Sequence, residues 1–278
     1  MELQESNLER DSEGFIILKK RYSELYKKTN YLTPLNLIQN RIYEYDIRSA
    51  NVSMLRASGK VSSDILDQLE SLDKDSREKA VGKMIRQNRK FYKIISEGIR
   101  KARETLFREN QIQDHEVLAI KNDAVFVIGR KLKYTEFGPI EFRVKGQYIL
   151  FQQINKTEFY YDRRYHHVDI KGVNDKVLAE EDHQKGMLVF FDNVFNYVCT
   201  DRRNELREYL IQFVEDYKTK RLPKYYYREL NSDNVYRTIV ELSGFSFNLI
   251  EIGDDNLDII NPIYNYTRFI LPMIRQYI

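Results

Sequence analysis

Ile42-Tyr43-Glu44-Tyr45-Asp46-Ile47-Arg48-Ser49-Ala50-Asn51 and Val117-Leu118-Ala119-Ile120-Lys121-Asn122-Asp123-Ala124-Val125-Phe126-Val127 are two apolar runs, each carrying one aspartate. Their aromatic and β-branched content predicts strands, and 77 positions separate Asp46 from Asp123. Two carboxylates on neighbouring strands can hold a pair of divalent cations. A basic helical segment folded over that pair can hold a triphosphate. Phosphoryl transfer asks little else of a protein, because its chemistry is positioning and charge neutralisation.

The segment between the two runs supplies the positive charge. From Arg77 to Lys93 the basic residues are Arg77, Lys79, Lys83, Arg86, Arg89, Lys90 and Lys93, against the single acid Glu78. A surplus of that size in a chain of net charge +3 leaves the remainder net acidic, a clustering that suits an anionic partner. The spacing predicts one long helix from about Arg77 to Glu109. Val81, Ile85, Tyr92, Ile95, Ile99, Ala102 and Leu106 form its apolar stripe, and Lys79, Lys83, Arg86, Lys90 and Lys93 lie opposite. Gly98 marks a bend or a change of helix. A shorter helix is expected over Val61 to Leu72, capped by Ser62-Ser63-Asp64.

Further out, residues 1–30 read as a charged helical lead-in, with Phe15, Ile16, Leu18, Tyr22, Leu25 and Tyr26 at helical spacing. Residues 126–165 alternate polar and apolar around Gly129, Gly138-Pro139 and Gly146, which predicts hairpins. The last third mixes helices (Arg202 to Lys218, Val235 to Leu242) with loops around Pro223, Gly253 and Pro262. Strand, helical excursion, strand and hairpin make an α+β layout with an antiparallel sheet.

Composition narrows the classes. At 278 residues, 42% hydrophobic and 31% charged, the chain can bury a core and is not of disordered type. No run approaches a membrane span, the N-terminus is too acidic for a signal peptide, and a cytoplasmic setting is expected. Cys199 is the single cysteine, so an internal disulfide and a cysteine zinc cluster are excluded. Adjacent His166 and His167 would face opposite sides of a strand, His115 and His183 are isolated, and Glu180, Glu181, Asp182 and Asp201 read as loop acids. The 21 tyrosines suit sheet and core, though some can stack on bases. Glycine-rich nucleotide fingerprints are absent.

These residues resemble those of family B DNA polymerases. Asp46-Ile47-Arg48-Ser49-Ala50-Asn51 is similar to the first palm motif of that family, and Lys121-Asn122-Asp123-Ala124 followed by Val125-Phe126-Val127 is similar to the third. Ile94 to Arg103 looks like the helix that precedes the third motif, the stretch Lys83 to Lys90 with Asn88 and Tyr92 takes the place of the fingers motif, and Asp169-Ile170-Lys171-Gly172-Val173 is weakly similar to a lysine-glycine element after the palm. The likeness covers roughly residues 40–175.

It implies a polymerase palm-like antiparallel sheet over residues 41–175 with a helical fingers insertion at about 60–110, after an N-terminal helical segment (1–40) and before a thumb-like region (176–278). The implied activity is that of a small template-dependent DNA polymerase or primase using two Mg2+ (or Mn2+) ions. Asp46 and Asp123 would hold the metals, with the carbonyl of Ile47 as a further ligand. Lys83, Arg86 and Lys90 would cradle the triphosphate. Arg163, Arg164 and Lys171 would contact a DNA primer-template. Replisome proteins are further possible partners, and minimal cores of this kind belong to phages and mobile elements, hence a host cytoplasm.

The chain departs from the family at several places. Lys121 replaces the first aspartate of the third motif, Asn51 stands where the family has its sugar-gating tyrosine, and the Lys83–Asn88 spacing is off by one. The first 45 residues are too few for a proofreading exonuclease. Two other readings stay open. One is a non-catalytic palm relic that grips nucleic acid or docks on a replisome, with the Lys121 ammonium in place of a metal. The other is an unrelated phage structural or interaction protein.

Overall fold

The computed structural model describes residues 8–10, 16–18, 22–172, 181–219, 221–223, 238–242, 245–249 and 269–278. Among them the protein is α+β, with antiparallel strand pairs and seven α-helices. It divides into two units, Met1–Pro34 with Arg41–Gln147 and Leu35–Asn40 with Tyr148–Ile278. The division falls inside two long strands, where the sequence reading set boundaries at 40 and 175.

The helical lead-in is corrected. Residues 8–10 and 16–18 form two short antiparallel strands, β1 (Leu8–Arg10) and β2 (Ile16–Leu18), and Glu24–Lys27 is one 3-10 turn. Ser23 starts that turn by accepting the Leu25 N–H on its hydroxyl at 3.1 Å, a local bond that competes with a longer helix.

In the first unit β3 (Asn30–Leu32), β4 (Leu37–Ile47), β5 (Val117–Lys121), β6 (Ala124–Ile128), β7 (Glu136–Phe137) and the opening of β8 (Ile140–Ile154) build the sheet in the order β3-β5-β6-β4-β8, with β7 on β8. Residues 126–165 do form hairpins, although Gly146 lies inside β8 rather than at a turn. Two-residue turns close β5–β6 at Asn122-Asp123, β7–β8 at Gly138-Pro139 and β8–β9 at Asn155-Lys156. Each has a left-handed first residue, Asn122 at φ 53°, Gly138 at φ 60° and Asn155 at φ 56°, as turns that follow the strand twist require.

Four helices cover one face of this sheet: α1 (Ala50–Ser58), α2 (Ser63–Ser71), α3 (Lys74–Gln87) and α4 (Lys90–Glu109). Tyr43, Tyr45, Ile47, Val125 and Val127 meet Met54, Leu55, Ile95, Leu106 and Phe107 in one core. The single helix expected over 77–109 is two. Asn88 turns extended at φ −147°, and its Oδ1 accepts the Lys90 N–H at 3.0 Å, so an asparagine caps the start of α4. Gly98 does not break α4, which is continuous from Lys90 to Glu109. A Cβ there would lie 2.8 Å from Met54 Sδ and 3.1 Å from Met54 Cβ, so the glycine permits α4 to approach α1.

In the second unit β8 continues into β9 (Thr157–Asp162), which pairs with β10 (His167–Lys171). Their apolar side chains pack with α5 (Glu181–Cys199), α6 (Arg203–Lys218) and α7 (Leu271–Tyr277), around Phe159, Phe190, Phe191, Phe195 and Phe213. The helix expected over Val235 to Leu242 is also corrected: β11 (Thr238–Leu242) pairs antiparallel with β12 (Phe245–Leu249). Thr238, Ile239 and Val240 are β-branched and favour that state. Residues 235–237 and the loops at Gly253 and Pro262 lie outside the described residues.

Candidate active site

Strand alternation separates the two faces of β4. Tyr43, Tyr45 and Ile47 enter the helical core, so Glu44 and Asp46 point to the other face. The β4–β6 register pairs Tyr45 with Val125, which brings Asp46 level with Ala124 and the adjoining Asn122-Asp123 turn. Asp123 is therefore a hairpin-turn residue rather than a strand residue. Asp46 and Asp123, remote in sequence, come together.

Each carboxylate lies within the electrostatic reach of the other. Burial first, and then the charge of Asp46, raise the pKa of Asp123 above the ordinary carboxylate value, while Lys145 pulls the other way. Cations flank the pair. Strand β8 runs beside β4, with Arg48 N–H donating to Glu141 O at 2.9 Å. Arg143 lies 3.8 Å from Asp46, and Lys145 lies 3.7 Å from Glu44, whose residue is only 2% exposed. Alternating acids on β4 thus face alternating cations on β8.

From the helical side comes Arg103, a residue on the apolar stripe of α4 that sequence reasoning passed over. It is 3% exposed, and it donates from Nη1 to the Asn122 carbonyl, holding the turn that carries Asp123. Burial lowers its pKa to about 10, against the attraction of Asp123, and Arg100 lowers it further. Its Nε is buried without a hydrogen-bond partner among the described residues. An arginine three residues before Leu106 and four after Ile99, inside an apolar stripe, was the available signal. For Glu44, Arg143 and Lys145 the signal was charge recurring at every second residue of a strand.

After Ile47 the chain turns through Arg48 and Ser49, the latter left-handed at φ 48°, into α1. Ser53 Oγ donates to the Arg48 carbonyl at 2.7 Å and fixes that turn. Asn51 lies half-buried in the first turn of α1. Tyr45 is turned into the core, where its hydroxyl accepts the Leu132 N–H at 2.6 Å.

Lys83 and Arg86 lie on α3 and Lys90 opens α4, all exposed. These helices cover the face opposite Asp46, so the expected overhang of a basic helix above the carboxylates is not the arrangement. Lys90 stands thirteen residues before Arg103 on α4, about 20 Å along the axis at 1.5 Å per residue.

In the second unit Arg163 and Arg164 sit exposed in the β9–β10 turn, and Lys171 ends β10. Arg164 binds Asp162 Oδ2 at 2.8 Å and stacks over Tyr165, and Lys171 lies 3.3 Å from Asp169. His166 is not a strand residue. It occupies the turn at φ 49°, 3.0 Å from Asp192, which also accepts the Tyr161 hydroxyl at 2.6 Å. Glu181 and Asp182 lie in α5 rather than in a loop, and Asp201 pairs with Arg203 at 3.1 Å.

Among the described residues no three or more His, Cys, Asp or Glu side chains are grouped for a metal. Two carboxylates that crowd one another in a half-buried place, one of them with raised proton affinity, do fit a divalent cation. Mg2+ is commonly held by one or two carboxylates, with waters and substrate phosphates completing its shell.

Among the described residues the protein is an α+β fold in which Asp46 of β4 and the Asn122-Asp123 turn come level. Residues 21–278 match the family described as Bacteriophage PBS1 gene 130 protein, and the chain belongs to that family. No curated protein matches it. No helix of the described residues is long and apolar enough to cross a membrane.

Proposed function

We propose that this phage-family protein is a nucleotidyltransferase of palm-like type: a small template-dependent DNA polymerase or primase. The observation that carries the reading is the meeting of Asp46 and Asp123, from separate runs, with Asp123 on a turn that a buried arginine holds. The reaction is displacement at phosphorus. A primer 3′-hydroxyl oxygen bonds to the α-phosphorus of a nucleoside triphosphate, the α–β phosphoanhydride bond breaks, diphosphate leaves and the hydroxyl proton passes to solvent. Asp46 and Asp123, with the Ile47 carbonyl, would hold Mg2+ or Mn2+, which supplies charge neutralisation and orients the phosphates. Arg103 keeps the Asp123 turn in place. Asn51, in the first turn of α1, would meet the sugar and can both donate and accept a hydrogen bond.

Lys83, Arg86 and Lys90 remain proposed triphosphate ligands by the resemblance alone, since α3 and α4 as packed do not carry them over the pair. Arg163, Arg164 and Lys171 remain proposed duplex contacts. The host cytoplasm is the proposed setting, with replisome proteins as proposed partners. The test is extension of a labelled primer on a template with Mg2+ or Mn2+ and each nucleotide in deoxy and ribo form. Extension that chelator abolishes and Mn2+ restores is expected, with weak sugar discrimination that Asn51→Tyr sharpens. No incorporation with either metal defeats the reading.

One feature favours the second reading, a non-catalytic relic that binds nucleic acid. Arg103, Arg143 and Lys145 already bring positive charge to the carboxylates. A chain that binds primer-template but incorporates nothing is its signature.

A further inference from the structure

We propose that the corner between α3 and α4 is a binding surface for single-stranded nucleic acid. Lys79, Lys83 and Arg86 recur on one face of α3, and Arg89, Lys90 and Lys93 follow across the break; all six are exposed. The ion pairs recorded on the four helices join other residues: Arg56 with Asp67 and Glu70, Arg100 with Glu104, and Arg108 with Glu109. The corner's cations therefore stand uncompensated by ion pairs among the described residues.

The break adds to this charge. The first turn of the 20-residue α4 contains no acid, and cations stand where the helix dipole is already positive. That placement opposes helix stability and concentrates positive potential on one corner. Between Lys90 and Lys93 in the sequence, Tyr92, expected on the apolar stripe, is instead 61% exposed, an aromatic ring open to solvent. Cations alone would suit any polyanion. An exposed ring among them selects unpaired bases, because a duplex keeps its base faces stacked inside, whereas a single strand lays them on aromatic platforms. The spread of cations over two helices also exceeds what one triphosphate can engage.

This surface needs neither Asp46 nor Asp123, and it gives Lys83, Arg86 and Lys90 to a nucleic-acid strand rather than to the triphosphate. The full-length chain is titrated against a fluorescein-labelled single-stranded oligonucleotide of about 16 nucleotides, the upper range of such sites, with anisotropy as the readout. Tight, salt-sensitive binding is expected, stronger than for a duplex of equal length. Lys83→Ala, Arg86→Ala and Lys90→Ala together should flatten the slope of log K against log salt by about 2, at roughly 0.7 per single-strand phosphate contact. Tyr92→Ala should weaken binding about tenfold with the slope unchanged. Lys90→Glu should weaken binding while raising the melting temperature, since an acid at that helix start suits the dipole. Asp46→Asn with Asp123→Asn should bind as the wild type does, even if incorporation is lost. Absence of binding, a preference for duplex, or insensitivity to Tyr92→Ala overturns the proposal. So does displacement of the oligonucleotide by an equimolar nucleoside triphosphate, which would make the corner a triphosphate site.

Discussion

Asp123 sits in conflict with its surroundings, and that conflict makes it testable. Its folded-state pKa lies above the ordinary value of 3.8, through burial and the neighbouring Asp46. A raised carboxylate pKa means that the ionised form costs stability. The cost is present at neutral pH and fades as the pH falls through the raised value toward 3.8. Asp123→Asn should therefore abolish nucleotide incorporation yet raise the neutral-pH melting temperature. That gain should shrink to nothing in acid, as thermal scans between neutral and acid pH would show. A variant less stable than the wild type at neutral pH would contradict this account of Asp123. Arg103 acts on the same turn. Lysine in its place keeps a charge but loses the planar fork that serves the Asn122 carbonyl. Arg103→Lys should cost about 1–3 kcal/mol in denaturant unfolding and lower kcat on the order of 100-fold through misplacement of the turn, with little change in KM. A kcat left intact would reduce Arg103 to a packing residue. Neither property was legible in the sequence, because a turn position and a buried guanidinium depend on partners remote along the chain.

Among the elements, those with strong local signals were readable. The alternation and turn residues of 126–165 give the hairpins, and the apolar spacing gives α2, whose N-cap Ser62 makes no side-chain cap bond. The failures share a cause: local capping and tertiary pairing overrode periodicity. Asn88 splits an otherwise continuous apolar stripe by capping α4, and Ser23 shortens the N-terminal pattern to one turn. Gly98 illustrates the opposite error, a helix-breaker reading for a residue that serves packing. Gly98→Leu should destabilise by about 1–3 kcal/mol through overpacking against Met54. Combining it with Met54→Ala should recover part of that loss, since contacting residues couple. Gly98→Ala trades a helix-propensity gain of about 1 kcal/mol against the 3.1 Å contact with Met54 Cβ, so its net effect should be small. Chemical denaturation of the four chains measures the cycle, and strict additivity would contradict the contact.

At the scale of the whole molecule, the α+β class and the meeting of Asp46 with Asp123 were legible, because two apolar runs with one acid each already imply paired strands. The placement of the basic helices was not. Charge on a helix surface does not say which sheet face the helix covers, and only the packing of Met54, Ile95 and Leu106 on Tyr43, Tyr45 and Ile47 decides it. On the proposed function, the paired carboxylates form a divalent-metal centre. Mn2+ binding followed by electron paramagnetic resonance tests it without requiring turnover. The wild type should deplete the free Mn2+ signal, the Asp46→Asn, Asp123→Asn chain should lose that depletion while remaining folded, and the Lys83→Ala, Arg86→Ala, Lys90→Ala chain should retain it. Identical Mn2+ isotherms for the wild type and the double aspartate variant would contradict the claim.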